Sequence, residues 1–169
     1  IWESKLEPVY PYRKAGSAVE KINGSLTAPA APKIGVAKPK VIIPVFPGTN
    51  CEYDTAKAFA RAGADPEILV VRNLTPADVA ESCEALVKAI DASQIVMLPG
   101  GFSGGDEPDG SGKFIASFFR NPAVTEAVRR LLQQRDGLML GICNGFQALI
   151  KLGLVPYGDI RPITACDPT

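Results

Sequence analysis

The sequence contains no histidine in its 169 residues. Histidine is the most frequent general base near neutral pH, so its absence restricts the catalytic mechanisms open to these residues. The four cysteines include no Cys-x-x-Cys pair, which disfavours a zinc ribbon or a thioredoxin-like motif. We therefore predict free thiols and no metal site. Two disulfides in a secreted protein are the less favoured alternative.

Neither an excess of charge nor a long apolar run is present. Lysine and arginine together number 18, as do aspartate and glutamate, and the sequence pI is about 6.5. This balance favours neither nucleic acid nor an anionic membrane as a partner. The longest apolar runs, such as Ile95–Leu98, have the length of a strand, whereas a membrane span needs about 18 residues. No secretory signal pattern opens the chain, so we expect a cytoplasmic protein.

The first 39 residues differ from the rest of the chain. They contain five prolines and show neither helical nor alternating periodicity, so we interpret 1–39 as a connector. Residues 1–12 are too apolar for a free tail, and we expect them to lie on a protein surface. The start without methionine suggests a fragment. Regular patterning occupies 40–169, and the 46% hydrophobic content is sufficient for one domain core.

From residue 40, short apolar runs alternate with helical patterns. The predicted strands are 41–46, 67–71, 95–98 and 138–142. The predicted helices are 54–62 with Thr49 or Asn50 as cap, one opened by Thr75 and Pro76, then 114–119, 123–135 and 145–152. This alternation predicts an α/β fold with a doubly wound, mostly parallel sheet and helices on both faces. Such sheets bind ligands at the carboxyl ends of their strands, here the loops 47–51, 99–105 and 141–145.

Residues 141–145, Gly-Ile-Cys-Asn-Gly, have the form of a nucleophile elbow between a strand and a helix. In such a turn the flanking glycines avoid collisions with the strand and the helix. The amino end of the helix increases the thiolate fraction of a cysteine placed there. We therefore predict that Cys143 is a catalytic nucleophile. The alternative is a buried structural cysteine beside a glycine-rich turn.

The glycine-rich loop that begins at Pro99 is expected to lie beside this elbow. A thioester-forming reaction passes through an oxyanion, which two N–H groups can stabilise. The backbone amides of Gly101 and Asn144 are the candidate donors. Gln147, one helical turn after Cys143, is a candidate substrate contact. The alternative for the loop is a flexible or phosphate-binding role, although it lacks the ending of a P-loop. The alternative for Gln147 is a polar residue that only makes hydrogen bonds near the start of the helix.

Three motifs together resemble a known family. The 141–147 segment Gly-Ile-Cys-Asn-Gly-Phe-Gln and the 99–103 segment Pro-Gly-Gly-Phe-Ser resemble class I, or triad, glutamine amidotransferases. The 47–54 segment Pro-Gly-Thr-Asn-Cys-Glu-Tyr-Asp resembles their members in phosphoribosylformylglycinamidine synthases. The glycine- and acid-rich segment 104–114 resembles the long single-chain bacterial form. The resemblance covers about 40–169, and it implies a flavodoxin-like fold that is incomplete at the carboxyl terminus.

The resemblance also implies a mechanism. Cys143 would attack the carboxamide of glutamine, release ammonia and form a glutamyl thioester that water hydrolyses. Gly101 and Asn144 would hold the oxyanion, while Phe102 and Gln147 would help to form the glutamine pocket. The ammonia would pass to a synthetase domain of the same polypeptide. That parent domain would use ATP and Mg²⁺ to form the amidine of formylglycinamide ribonucleotide, and 1–39 would connect to it.

The sequence departs from this family in lacking the histidine and the glutamate that complete its triad. Asp159, Asp167 and Glu52 are acids with no histidine to orient. Since triad members act as a unit, we expect the chain by itself to have negligible glutaminase activity. A thiol-redox or other non-enzymatic module of similar fold remains the alternative. Cys51 lacks the flanking glycine pair and is interpreted as structural.

Overall fold

This computed structural model describes residues 5, 8, 9, 24, 35–103, 112–162 and 164. The chain divides into two compact units, 1–31 and 32–169, and nearly all described residues belong to the second. Most of the predicted connector lies outside the described residues, as do residues 104–111, Cys166 and Asp167. The boundary between 1–39 and 40–169 therefore stays a prediction.

The described part of the second unit contains four strands and six α-helices. The strands are β1 (Lys40–Val45), β2 (Asp65–Val70), β3 (Ile95–Leu98) and β4 (Leu138–Gly141). The helices are α1 (Glu52–Arg61), α2 (Pro76–Ala92), α3 (Lys113–Phe119), α4 (Pro122–Arg129), α5 (Asn144–Leu152) and α6 (Leu154–Tyr157). The strands are parallel in the order β2-β1-β3-β4, which confirms the predicted fold class. No helix in the described ranges is both long and apolar enough to cross a lipid bilayer.

Helices cover both faces of this sheet. On one face Ile42 and Leu98 belong to a large apolar cluster with residues of α2, α3, α4 and α5. On the other face Val41 and Met97 pack with Phe59 of α1. Because side chains alternate along a strand, an almost continuous apolar strand can serve two cores at once. The short apolar runs of the sequence have this composition for that reason.

The α1 face of the sheet is open at β4. Leu138, Leu140 and Ile142 are between 41% and 53% exposed, although all three are large and apolar. A groove of about 420 Å³ lies between α1 and this part of the sheet, with Phe59 and Met97 among its lining residues. The alternating exposure of β4 contrasts with the continuous burial of β1.

The predicted cap of α1 was wrong. The helix begins at Glu52 after Cys51, whose φ of 69° is left-handed, and no side chain caps it. Thr49 instead accepts a hydrogen bond from the backbone N–H of Phe46 through its hydroxyl, at 3.0 Å. The backbone N–H of Asn50 donates to the loop after β3. Both candidate caps are therefore engaged in the loop between β1 and α1.

Most other boundaries differ from the predicted ones by one or two residues, and two differences have a clear physical reason. β2 begins at Asp65 and contains Pro66, a residue that cannot donate to a ladder. The strand tolerates it because β2 is an edge strand of the described sheet. The helix predicted over 123–135 ends as an α-helix at Arg129 and continues as a π-helical turn, Arg130–Gln134. Pattern periodicity does not distinguish these two windings over five residues.

The amino end of α2 agrees with its sequence signal. The Thr75 hydroxyl accepts from the Asp78 N–H at 3.1 Å, and Asp78 accepts in return from the Thr75 N–H at 3.0 Å. This reciprocal arrangement is a capping box followed by Pro76. Val79, Cys83, Leu86, Val87 and Ile90 pack in the larger apolar cluster, as their helical spacing predicts.

Replacement of Thr75 by alanine tests this cap. Thr75→Ala removes the acceptor for the Asp78 N–H, and we expect the free energy of unfolding to fall by about 1 kcal/mol. Urea denaturation measures the change. Thr75→Ser keeps the hydroxyl and is expected to remain close to wild type. Equal unfolding midpoints for the alanine and serine variants would contradict the role of the hydroxyl.

Candidate functional site

Cys143 occupies a sharp turn between β4 and α5. Its φ of 52° and ψ of −111° form a combination that residues with side chains rarely adopt. The residue is exposed, and it directly precedes the first residue of α5. The backbone N–H of Gln147 donates to its carbonyl at 3.0 Å, which closes the first turn of the helix. An exposed thiol thus lies at the amino end of α5, where the helix dipole favours negative charge.

The glycines on either side of Cys143 are required by close backbone contacts. A β-carbon on Gly145 would lie 2.0 Å from the Leu98 carbonyl oxygen, well inside contact distance. A β-carbon on Gly141 would lie 2.6 Å from the Gly145 carbonyl oxygen. The spacing of the Gly-x-Cys-x-Gly motif therefore follows from the packing of α5 against β3 and β4.

The loop after β3 passes beside the cysteine. A β-carbon on Gly100 would lie 3.3 Å from Cβ of Cys143 and 4.0 Å from its Sγ. On its other side this loop is bound to the loop after β1. The Asn50 N–H donates to the Gly100 carbonyl at 2.8 Å, and the Phe102 N–H donates to the Gly48 carbonyl at 2.9 Å. Three loops at the carboxyl ends of neighbouring strands are thus in contact.

These hydrogen bonds fix the direction of the Gly101 amide. Thr49 and Gly101 face each other as an antiparallel bridge in which their neighbours form the hydrogen bonds. In such a pair the facing residues point their own N–H and C=O groups away from each other. The Gly100 carbonyl points to Asn50, and a trans peptide sets the following N–H in the opposite direction. In the sheet β3 lies between β1 and β4. The Gly101 N–H points away from the loop after β1, so it is directed to the side of β3 on which β4 and Cys143 lie.

Gly101 can adopt this position only as a glycine. Its φ is 135°, and a β-carbon would lie 2.4 Å from the Gly48 carbonyl oxygen. Gly48 is equally restricted, because its β-carbon would lie 2.7 Å from the Phe102 carbonyl oxygen. Glycine in both loops permits the close backbone approach that orients the Gly101 amide.

A buried polar pair joins the loop after β3 to the elbow. Asn144 and Ser103 are both fully buried. The Asn144 Oδ1 atom accepts from the Ser103 hydroxyl at 2.6 Å and from the Ser103 N–H at 3.3 Å. The residue directly after the nucleophile is therefore bound to the residue that lies two positions after Gly101.

Phe102 and Gln147, the predicted substrate contacts, lie at the surface. Phe102 is 63% exposed, and Gln147 is exposed one helical turn after Cys143. The structure thus brings Cys143, Gly101 and Asn144 together through the backbone. It leaves the Phe102 and Gln147 side chains accessible.

The acids and the remaining cysteines have other surroundings. Asp159 accepts two hydrogen bonds from the Arg129 guanidinium, at 2.8 and 3.1 Å, and this pairing lowers the pKa of its carboxyl group. Cys83 is buried in the core, where desolvation raises the pKa of its thiol. Cys51 is a second exposed cysteine with positive φ, at the start of α1. Cys51, Cys83 and Cys143 are free thiols.

Sequence reasoning missed Ser103 and Gly48 as parts of this site. A serine after Gly-Gly-Phe is typical of an ordinary loop. The burial of Ser103 was not predicted because it depends on contact with Asn144, which is 41 positions away in the sequence. The sequence around Gly48 is typical of a turn, but the structure shows that the loop after β3 leaves no space for a side chain at this position. The proline-glycine and glycine-rich composition of the two strand ends was the available signal.

Comparisons with known proteins agree in one family. The sequence profile of the CobB/CobQ-like glutamine amidotransferase domain matches residues 38–169. The phosphoribosylformylglycinamidine synthase subunit PurQ of Dehalococcoides mccartyi is 37% identical over 123 residues, covering 72% of this chain and 43% of that protein. The subunit of the same name from Cereibacter sphaeroides is 40% identical over 122 residues, covering 72% of this chain and 46% of that protein.

One solved structure is also similar, the structure of PurLQS from Thermotoga maritima. It shares 28% identity with a TM-score of 0.48, covering 69% of this chain and 45% of that chain. The chain therefore spans less than half the length of the curated relatives described above. The profile match extends over most of the chain, including all the strands and helices described above. The chain belongs to the CobB/CobQ-like family of glutamine amidotransferase domains.

Proposed function

We propose that this chain is the glutaminase part of a phosphoribosylformylglycinamidine synthase and that Cys143 is its nucleophile. The Cys143 thiolate attacks the carboxamide carbon of glutamine. The C–N bond breaks, ammonia leaves after gaining a proton, and a glutamyl thioester remains. Water then cleaves the thioester to give glutamate and the free thiol. The names of the PurQ relatives support the assignment to this synthase.

The observation that carries the proposal is the position of an exposed, strained cysteine beside an oriented glycine amide. The Gly101 N–H is directed to the side of β3 on which Cys143 lies, and the Asn144 N–H belongs to the residue that follows the sulfur. Oxyanion stabilisation needs two such donors converging where charge develops. Phe102 and Gln147 are accessible beside them, and we assign them to the glutamine pocket.

A base for this reaction is proposed to come from outside these 169 residues. The sequence has no histidine, and Asp159 is held in an ion pair with Arg129. Cys143 at the amino end of α5 is placed for the first attack, but departure of ammonia requires a proton donor. We therefore propose that the chain alone binds glutamine analogues yet turns glutamine over very slowly.

The rest of the reaction belongs to the proposed parent enzyme. Its synthetase part, in the same long polypeptide, would use ATP and Mg²⁺ to convert formylglycinamide ribonucleotide to the amidine with the released ammonia. Residues 1–39 would connect the two parts. The thiols of Cys51, Cys83 and Cys143 are free in the described part of the chain, as is usual in a reducing compartment, and we propose that the enzyme acts in the cytoplasm.

Labelling by a glutamine-like chloroketone tests this function. We expect the reagent to modify Cys143 in the 169-residue chain and glutamine to slow the modification, because both occupy the same pocket. Peptide mass spectrometry identifies the modified cysteine. Glutamate release by the same preparation is expected to remain near background, since the chain offers no histidine base.

Cys51 provides an internal comparison. Cys51 is also exposed and also has positive φ, but it lacks the paired glycines of the elbow. Modification of Cys143 that glutamine does not slow would contradict the glutaminase assignment and favour a thiol-redox module. Glutamate release from the chain alone at the rate of a complete glutaminase would contradict the external base.

A further inference from the structure

Buried hydrogen bonds between Ser103 and Asn144 join the loop after β3, which contains Gly101, to the start of α5. These two segments contain the proposed oxyanion donors. Asn144 follows the nucleophile, and Ser103 lies two residues beyond Gly101. A single oxygen, Oδ1 of Asn144, accepts from both the hydroxyl and the backbone N–H of Ser103. Both residues are fully buried, so water does not compete for these bonds.

We propose that Ser103 is a positioning residue that sets the separation of the Gly101 amide from Cys143 through Asn144. The inference rests on the proposed glutaminase function and deepens it. The loop after β3 is held on its β1 side by the bonds of Gly100 and Phe102 to the neighbouring loop. Ser103 supplies the matching attachment on the elbow side. The Gly101 peptide lies between these two attachments, which together hold the loop on the β1 side and on the elbow side.

Loss of the Ser103 hydroxyl therefore acts on oxyanion formation more than on the thiol itself. Ser103→Ala leaves Cys143, its turn and the start of α5 in place. It removes the 2.6 Å bond and keeps the longer backbone bond from Ser103 to Asn144. A loop displacement of about 1 Å at a reacting centre lowers the rate by roughly a hundredfold. Reactions at the sulfur that form no oxyanion are expected to be unaffected.

Two alkylating reagents separate these effects in the full chain. In the route that we propose for the glutamine-like chloroketone, the Cys143 sulfur adds to the carbonyl carbon and creates an oxyanion. The sulfur then shifts to the adjacent CH2 carbon and displaces chloride, while the oxyanion collapses and restores the ketone. Iodoacetamide reacts by direct displacement of iodide and creates none. We expect Ser103→Ala to slow the chloroketone by roughly tenfold to a hundredfold and to change the iodoacetamide rate by less than about twofold. Ser103→Thr keeps the hydroxyl and should lie closer to wild type for both reagents.

Ser93 supplies the matched control for burial and bond length. It is fully buried, and its hydroxyl donates to the Ala89 carbonyl at 2.6 Å at the end of α2. Ser93→Ala should destabilise the fold comparably without changing the ratio of the two alkylation rates. A chloroketone rate for Ser103→Ala equal to that of Ser93→Ala would overturn the positioning role while the glutaminase function stands. Absence of chloroketone labelling in the wild-type chain would overturn both.

Discussion

Replacement of Cys143 by serine is expected to abolish ammonia release from glutamine by the proposed parent synthase. The hydroxyl keeps the approximate size of the thiol, but it is a far weaker nucleophile without a base matched to it. Removal of a nucleophile that acts in a catalytic unit lowers kcat by about 10⁴-fold or more. Glutamine-dependent ammonia release measures the loss. In that proposed enzyme, synthesis of the amidine from added ammonium salt should continue, because the proposed role of the thiol is confined to glutamine.

Cys51→Ser is the matched control for this substitution. Cys51 and Cys143 are both exposed, both precede a helix, and both have left-handed φ, at 69° and 52°. Only Cys143 lies between paired glycines and beside Gly100. The Cys51 variant should retain glutamine-dependent activity within about twofold, as expected for a surface substitution away from the reacting atoms. Equal loss in the two variants would contradict the assignment of Cys143.

Replacement of Gly145 by alanine is expected to have the largest effect on the fold. The added β-carbon is attached directly to the backbone of α5, and it would lie 2.0 Å from the Leu98 carbonyl oxygen, a backbone atom. Neither can move aside by a rotamer change, so α5 must shift away from β3. Overpacking of this kind costs about 3 kcal/mol, equivalent to a melting temperature lower by roughly 10 °C. Thermal unfolding measures the shift, and chloroketone labelling of Cys143 should fall with it.

Gly24→Ala controls for the loss of a glycine itself. A β-carbon on Gly24 would meet no atom of the described residues within 4 Å, and its φ is not in the left-handed region. This variant should change the free energy of unfolding by less than about 0.5 kcal/mol. A Gly145 variant that melts at the wild-type temperature and still reacts with the chloroketone would show that the elbow does not need the contact with Leu98.

Local patterns were sufficient to predict most of the described fold. The apolar runs of β1 and β3 and the Thr75 cap each depend on residues close together in the chain, and the structure has them where the patterns indicate. The start of α1 was predicted wrongly because Thr49 and Asn50 bond within the loops after β1 and β3. Side-chain capping competes with such contacts, and a local pattern does not record which one prevails.

Like the fold, the candidate site has features that the sequence predicts and features that only the structure shows. The sequence predicts the elbow because its glycines and its cysteine lie within five consecutive residues, and their spacing is determined by one tight turn. The buried state of Ser103 is not visible, since it comes from Asn144 on another element. The direction of the Gly101 amide is likewise set by two hydrogen bonds to a loop about fifty residues earlier.

The sequence by itself determined the alternation of strands and helices, the strand-to-helix position of Cys143 and the lack of a histidine base. These depend on residue type and short spacing, which the chain carries directly. The tertiary structure decided the strand order, the burial of the Ser103–Asn144 pair and the orientation of Gly101 toward the side of Cys143. Each of these arises where segments far apart in sequence meet at one edge of a parallel sheet, where packing and hydrogen bonding between loops override local preference.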